Sequence, residues 1–128
     1  MGIAARLGEG LPRPLEGDWT PESGHRQGQI IAMIPDVTAI FVASDEMAFG
    51  VIRALRERGR SVPDDVSIVS VDDIALAAYC SPPLTTVRQD FYRFGAAAVA
   101  LLLEGTGAGD AVVPATLAVR DSTAPPRV

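Results

Sequence analysis

A repeated pattern constrains this 128-residue chain more than anything else in it. A short apolar run, rich in β-branched residues, ends in small polar or acidic residues, and an amphipathic stretch follows. TAIFVAS (38–44) leads into Asp45 and Glu46, and VSIVSV (66–71) leads into Asp72 and Asp73. Apolar runs of this length suit buried strands and are too short for buried helices. Between them, Ser44 is placed as a helix N-cap with Asp45 and Glu46 facing the positive end of the dipole. Met47, Ala48, Val51, Ile52 and Leu55 share one face of that helix, and Gly59 ends it in the left-handed position. Strand, helix and strand in this order specify an α/β fold with a mainly parallel sheet and flanking helices.

The remaining segments extend that alternation. Residues 1–11 read as the end of a helix closed by Gly8 or Gly10. LPRPLEGD (11–18) reads as an edge or connecting strand, its ladder limited by Pro12 and Pro14. Thr20, Pro21 and Glu22 start a helix that extends to about Met33, ahead of Pro35. IALAAYCSPPLTTVRQD (74–90) holds a short helical turn and then an extended piece. Asp90 caps a helix over 91–104, on which Phe91, Phe94, Ala98, Leu101 and Leu102 share a face and which Gly105 ends. AVVPATLAVRDS (111–122) is a final strand.

Parallel sheets bind ligands beyond the carboxyl ends of their strands. Ser44-Asp45 and Asp72-Asp73 both fall there, so two successive strands deliver short polar side chains to one rim. Paired carboxylates can do acid–base work or hold Mg²⁺. Neighbours on a strand point to opposite faces, however, so Asp72 and Asp73 should not converge on one atom. At most one of them points into a site, and the other caps the following turn. Trp19 offers a flat apolar face for stacking on a sugar ring, with plain packing as its alternative role. Gln89 offers both a donor and an acceptor.

Other chemistries lack their residues. The chain has one cysteine, Cys80, and one histidine, His25, so neither a disulfide, a zinc cluster nor any other metal site is expected, and no cofactor is implied. All 11 basic residues are arginine. This excludes Schiff-base and P-loop lysines, and a phospho-receiver would lack its lysine as well. His25 has no Gly-x-Ser-x-Gly elbow to serve and reads as a solvent-facing helix residue. Cys80 reads as a packing or interface residue. The net charge of -5 argues against a nucleic-acid surface. The densest cations, Arg53, Arg56, Arg58 and Arg60, fall at a helix end, where they complement the dipole. There is no basic-then-apolar leader and no apolar run of about 18 residues, so the expectation is a soluble, cytoplasmic chain without membrane contact.

The motif order SDEMAFG…VPDDVSIVSVDD…PPLTTVRQD…VRDSTAPP, with EGDWTPESGHRQG upstream, resembles the effector-binding domain of the LacI/GalR family of transcriptional regulators. The likeness covers about residues 6–126. It implies a periplasmic-binding-protein-like type I fold, in which two α/β subdomains hinge around a small ligand, and a sensor rather than an enzyme. On that reading residues 1–128 are a truncated sensor domain. Residues 6–90 and 112–124 form its C-terminal subdomain, and helix 91–104 returns to the other subdomain. The resemblance implies that Trp19 stacks on the effector and that Asp72 accepts a ligand hydroxyl at the pocket floor. Gln89 falls near the subdomain crossover. Ser44 stands where asparagine is common, Ser70 where glycine is, and Val71 where an aromatic is. Phe49, Ile52, Tyr79 and Cys80 match a dimer interface, with core packing as the alternative for each. The implied partners are a small-molecule effector, taken to be a sugar, and a second copy of the chain or a higher oligomer. DNA is contacted only through a headpiece outside this chain. A fragment of a periplasmic sugar-binding transport protein is the alternative. With one subdomain mostly absent, weak or no sugar binding is expected, and the apolar stretch 96–103 is expected to drive self-association.

Overall fold

The computed structural model describes residues 13–105 and 109–125. Helix α1 spans Pro21–Ile31, strand β1 Ala39–Phe41, helix α2 Asp45–Glu57 and strand β2 Ser67–Asp72. A 3-10 turn, Ala75–Ala78, precedes strand β3, Thr85–Arg88, and then come helix α3, Phe91–Glu104, and strand β4, Thr116–Ala118. The four strands form one sheet in the order β1-β2-β3-β4. The first three are parallel and β4 runs antiparallel to β3.

Local chemistry explains the helix bounds. The Thr20 side chain accepts from the Ser23 N–H, that of Ser44 from Met47, and that of Asp90 from Arg93. Gly59 and Gly105 take positive φ just past the ends of α2 and α3. α1 stops at Ile31 rather than Met33, and the chain tightens there: Met33 and Ile34 donate to Ile30 and Ile31 at 3.2 and 2.9 Å.

The strands are shorter than the apolar runs. β1 covers only part of 38–44, because Ser44 leaves the sheet to cap α2, although Val42 still donates to Val69 at 2.9 Å. β4 covers only part of 111–122, with Pro114, which has no N–H to give a ladder, just ahead of it. The expected strand over 11–18 does not form in its described part, 13–18. That segment is tied to α1 instead: Gln27 Nε2 donates to the Glu16 carbonyl at 2.7 Å and the Asp18 N–H to Ser23 Oγ at 3.1 Å. The reading of 1–11 lies outside the described residues.

α1 and α2 approach closely through glycine. A Cβ on Gly24 would lie 2.1 Å from the Met47 carbonyl oxygen, and one on Gly50 2.0 Å from that of Pro21. One turn further on, Gly28 meets Val51 and Ala54, so the two helices run the same way and both amino ends face the carboxyl rim of the sheet. The core consists of Val42, Ala48, Val51, Ile52, Leu55, Val66, Ile68, Ala77 and Leu84. α3 stands apart from it: none of its residues is buried, and Leu102 and Leu103 are 80% and 83% exposed. Among the described residues no helix is long and apolar enough to cross a membrane.

Candidate functional site

Three strand ends and two helix amino ends meet at the rim. Ser44, beyond the end of β1, is buried, and its Oγ accepts the Met47 N–H at 3.2 Å. Asp45 follows as the first residue of α2. The sequence gives it only a place beside the helix dipole. In the structure it is fully buried, 0% exposed, and knots the rim together. Its Oδ1 accepts from Thr86 Oγ1 at 2.7 Å and from Ser70 Oγ, and its Oδ2 accepts from the Ile74 N–H at 2.9 Å. A buried carboxylate needs such donors to stay satisfied. Ser70 was the available signal. It lies two residues past the buried Ile68 on the same strand face, so its hydroxyl points inward and must find a partner.

The end of β2 and the turn after it carry the two acids. Both have positive φ, 121° at Asp72 and 55° at Asp73, a costly conformation for residues other than glycine. Asp72 is half-buried, and its carboxyl is pushed up by burial and then by the charges of Asp45 and Glu46. The Asp45 N–H, which donates toward it, works the other way. Asp73 keeps different company. Its N–H donates to Thr86 Oγ1 at 3.3 Å. Its side chain, 6% exposed, accepts from Arg88 Nε at 2.5 Å and from an Arg120 guanidinium nitrogen at 2.6 Å. Burial pushes that carboxyl up, but Arg120 and Arg88 prevail and hold it below the usual range. Arg120 also donates to the Leu84 carbonyl at 2.7 Å. Asp73 is therefore a turn residue and also the clamp that joins the turn to the end of β3 and to the segment after β4.

Trp19 stands at the amino end of α1 with φ 69° and 63% exposure. Asp18 fixes the approach to it, accepting from the Thr20 hydroxyl at 2.5 Å and the Thr20 N–H at 3.1 Å. Those contacts, first the Thr20 hydroxyl and then Ser23, hold the Asp18 carboxyl well below the ordinary carboxylate range. Gln89 is exposed at the end of β3, next to the cap Asp90. The fold thus joins Ser44 and Asp72 through Asp45. Trp19 and Gln89 lie on separate elements, at the start of α1 and the end of β3.

The interface candidates divide. Phe49 lines an open groove of about 450 Å³ with Pro21, Glu22, His25, Arg26 and Arg53. Tyr79 is 85% exposed. Cys80 is half-buried, its thiol donates to the Ala77 and Pro82 carbonyls, and burial pushes it up. Ile52 sits in the core and also lines a second groove of about 190 Å³ with Arg56 and Arg60. Neither groove includes Trp19, Ser44, Asp72 or Gln89. His25 is not solvent-facing as the sequence suggests. It is partly buried, with Nε2 2.7 Å from Glu57 Oε2, because α1 packs so tightly on α2. Arg60 does more than face a dipole: it donates to the Ile34 carbonyl at 2.9 Å and to that of Val37. Among the described residues no group of three His, Cys, Asp or Glu could hold a metal ion.

A family model described as "Periplasmic binding protein-like domain" matches residues 5–123. The transcriptional repressor PurR of Actinobacillus pleuropneumoniae serotype 3 (strain JL03) is 47% identical over 90 residues, which are 70% of this chain and 27% of that protein. The crystal structure of the lac repressor dimer bound to operator and the anti-inducer ONPF superposes with a TM-score of 0.77 at 39% identity, over 84% of this chain and 40% of that one. A LacI-family regulator from Enterococcus faecalis V583 with bound ribose gives 0.75 at 36% identity, over 88% and 44%. The chain thus spans about a quarter of the curated repressor it matches and less than half of these solved chains. These relatives are transcriptional regulators, not enzymes. With the family model matched over nearly its whole length, an open, mostly parallel sheet and likenesses well above 30% identity, the chain belongs to the periplasmic binding protein-like family, in its LacI/GalR-type regulator branch.

Proposed function

We propose that this chain is part of the effector-sensing domain of a LacI/GalR-type regulator, and that Trp19, Ser44, Asp72 and Gln89 form one wall of a sugar site. The observation that carries this is the half-buried Asp72 carboxylate, presented at the carboxyl end of β2 by a turn pinned on every side. A carboxylate accepts from two ligand hydroxyls, and an exposed tryptophan face packs against sugar C–H groups. The ribose held by the Enterococcus faecalis relative supports a sugar as the ligand class. Residues 6–90 and 112–124 are the C-terminal subdomain and α3 the helix that crosses to the other. Ligand closure of the two subdomains shifts DNA affinity by linkage, through a headpiece outside this chain, in the cytoplasm. A second copy packs on the face that carries Phe49, Tyr79 and Cys80.

Isothermal titration against a panel of sugars that includes D-ribose tests the reading. The chain alone should bind weakly or not at all, because it supplies one wall. A regulator with both subdomains should bind, and Asp72→Asn should weaken it at least tenfold. Sub-micromolar binding by the 128-residue chain, or an Asp72→Asn regulator with unchanged affinity, would overturn it. The chain should also give no salt-sensitive shift of duplex DNA in a gel.

A further inference from the structure

Asp45 is the one fully buried acid among the described residues, and ligand recognition at the rim does not itself use it. We infer that Asp45 is a positioning residue: from beneath the rim it sets the backbone of the 72–74 turn, and with it the direction in which the Asp72 side chain meets a ligand. The consequence for recognition rests on the sensor reading above; the positioning itself does not.

Two successive non-glycine residues at positive φ persist only where the surroundings over-determine them. Here the backbone N–H tethers converge on one carboxylate, beside the ion pairs of the Asp73 side chain. The Ile74 N–H is held directly by Asp45 Oδ2 at 2.9 Å. The Asp73 N–H is held at 3.3 Å by Thr86 Oγ1, whose own proton goes to Asp45 Oδ1 at 2.7 Å. Ser70, two residues before the turn, donates to the same Oδ1. Asp45 is itself fixed at the first turn of α2, one residue after the cap Ser44. Ser44 and Asp72 are therefore spaced by a single rigid unit, and a change at position 45 alters what the rim presents without touching a ligand.

Asp45→Ala removes the acceptor of the Ile74 N–H and the anchor of the Ser70 and Thr86 hydroxyls, and leaves the ion pairs of Asp73 with Arg88 and Arg120 in place. Asp45→Asn keeps one on each side: its amide oxygen accepts the Ile74 N–H and its NH₂ group donates to the Ser70 and Thr86 hydroxyls. NMR on the 128-residue chain reads the difference. In Asp45→Ala, the Asp73 and Ile74 amides should exchange at least tenfold faster relative to those of Leu55 and Ile68, and the Asp72 side-chain couplings should average over rotamers. Asp45→Asn should restore both. If Asp45→Ala does not fold, Thr86→Val serves, and should accelerate the Asp73 amide selectively. Acceleration spread evenly over the chain, wild-type protection at 73 and 74, an unchanged Asp72 rotamer, or no rescue by asparagine would overturn the inference. A parallel titration with D-ribose reports on the sensor reading alone, since none of these signals needs a ligand.

Discussion

Asp72 and Asp73 are neighbours in the chain with opposite electrostatic consequences. Asp72 has its pKa raised by burial and by Asp45 and Glu46, so its charge opposes folding. That penalty is absent below the ordinary carboxylate range, grows as pH rises through it, and is complete above the raised folded value. Asp72→Asn should therefore raise the melting temperature at pH 7 to 8, and the gain should vanish below about pH 4 in a thermal scan across pH. Asp73 is the reverse case. Arg120 and Arg88 outweigh burial and lower its pKa, so its stabilisation is present above the ordinary range and is lost as pH falls through the folded value. Asp73→Asn should cost about 1–3 kcal/mol in urea unfolding at pH 7 and much less in acid. Strand alternation sets the two acids apart in the sequence, and in the structure they do keep different company, but through two residues at positive φ rather than a regular strand. Asp45 was not legible in this way. Its partners lie 25, 29 and 41 positions away, and no local pattern encodes such distances.

At the scale of elements, α2 and α3 match their sequence bounds because caps are local chemistry: Ser44 and Gly59 for one, Asp90 and Gly105 for the other. Strand lengths follow from neighbours, so β1 and β4 come out shorter than their apolar runs. The seam between α1 and α2 depends on the absence of side chains at Gly24 and Gly50, which a sequence shows only as two helix-weakening residues. Gly24→Ala should destabilise by about 1–3 kcal/mol or more, because the new methyl meets backbone that cannot give way. Gly95→Ala is the control. A Cβ there meets nothing within 4 Å, so helix propensity should stabilise the chain by up to about 1 kcal/mol. Chemical denaturation of the two variants separates packing from propensity.

At the scale of the molecule, the alternation of strands and helices was enough to give the α/β sheet. That β4 comes back antiparallel beside β3 needed the structure. α3 leaves that sheet with Phe91, Phe94, Val99, Leu102 and Leu103 exposed, and surfaces of this kind associate. Light scattering should show oligomers, and the pair Leu102→Glu and Leu103→Glu should shift them toward monomer with little change in melting temperature. A clean wild-type monomer would refute this. The end of the chain behaves differently. β4 pairs with β3, and beyond it Thr85 Oγ1 both donates to the Arg120 carbonyl and accepts its N–H, at 3.0 and 2.9 Å. Ser122 Oγ joins the Ile68 carbonyl to the Thr85 N–H, at 2.7 and 2.8 Å. The Ala124 N–H donates to Ser67 Oγ at 3.0 Å. Residues 109–115 form no part of the sheet. The sheet grips its last strand as a receptor grips a peptide, by a backbone ladder and by side-chain bonds that do not run through the connecting segment.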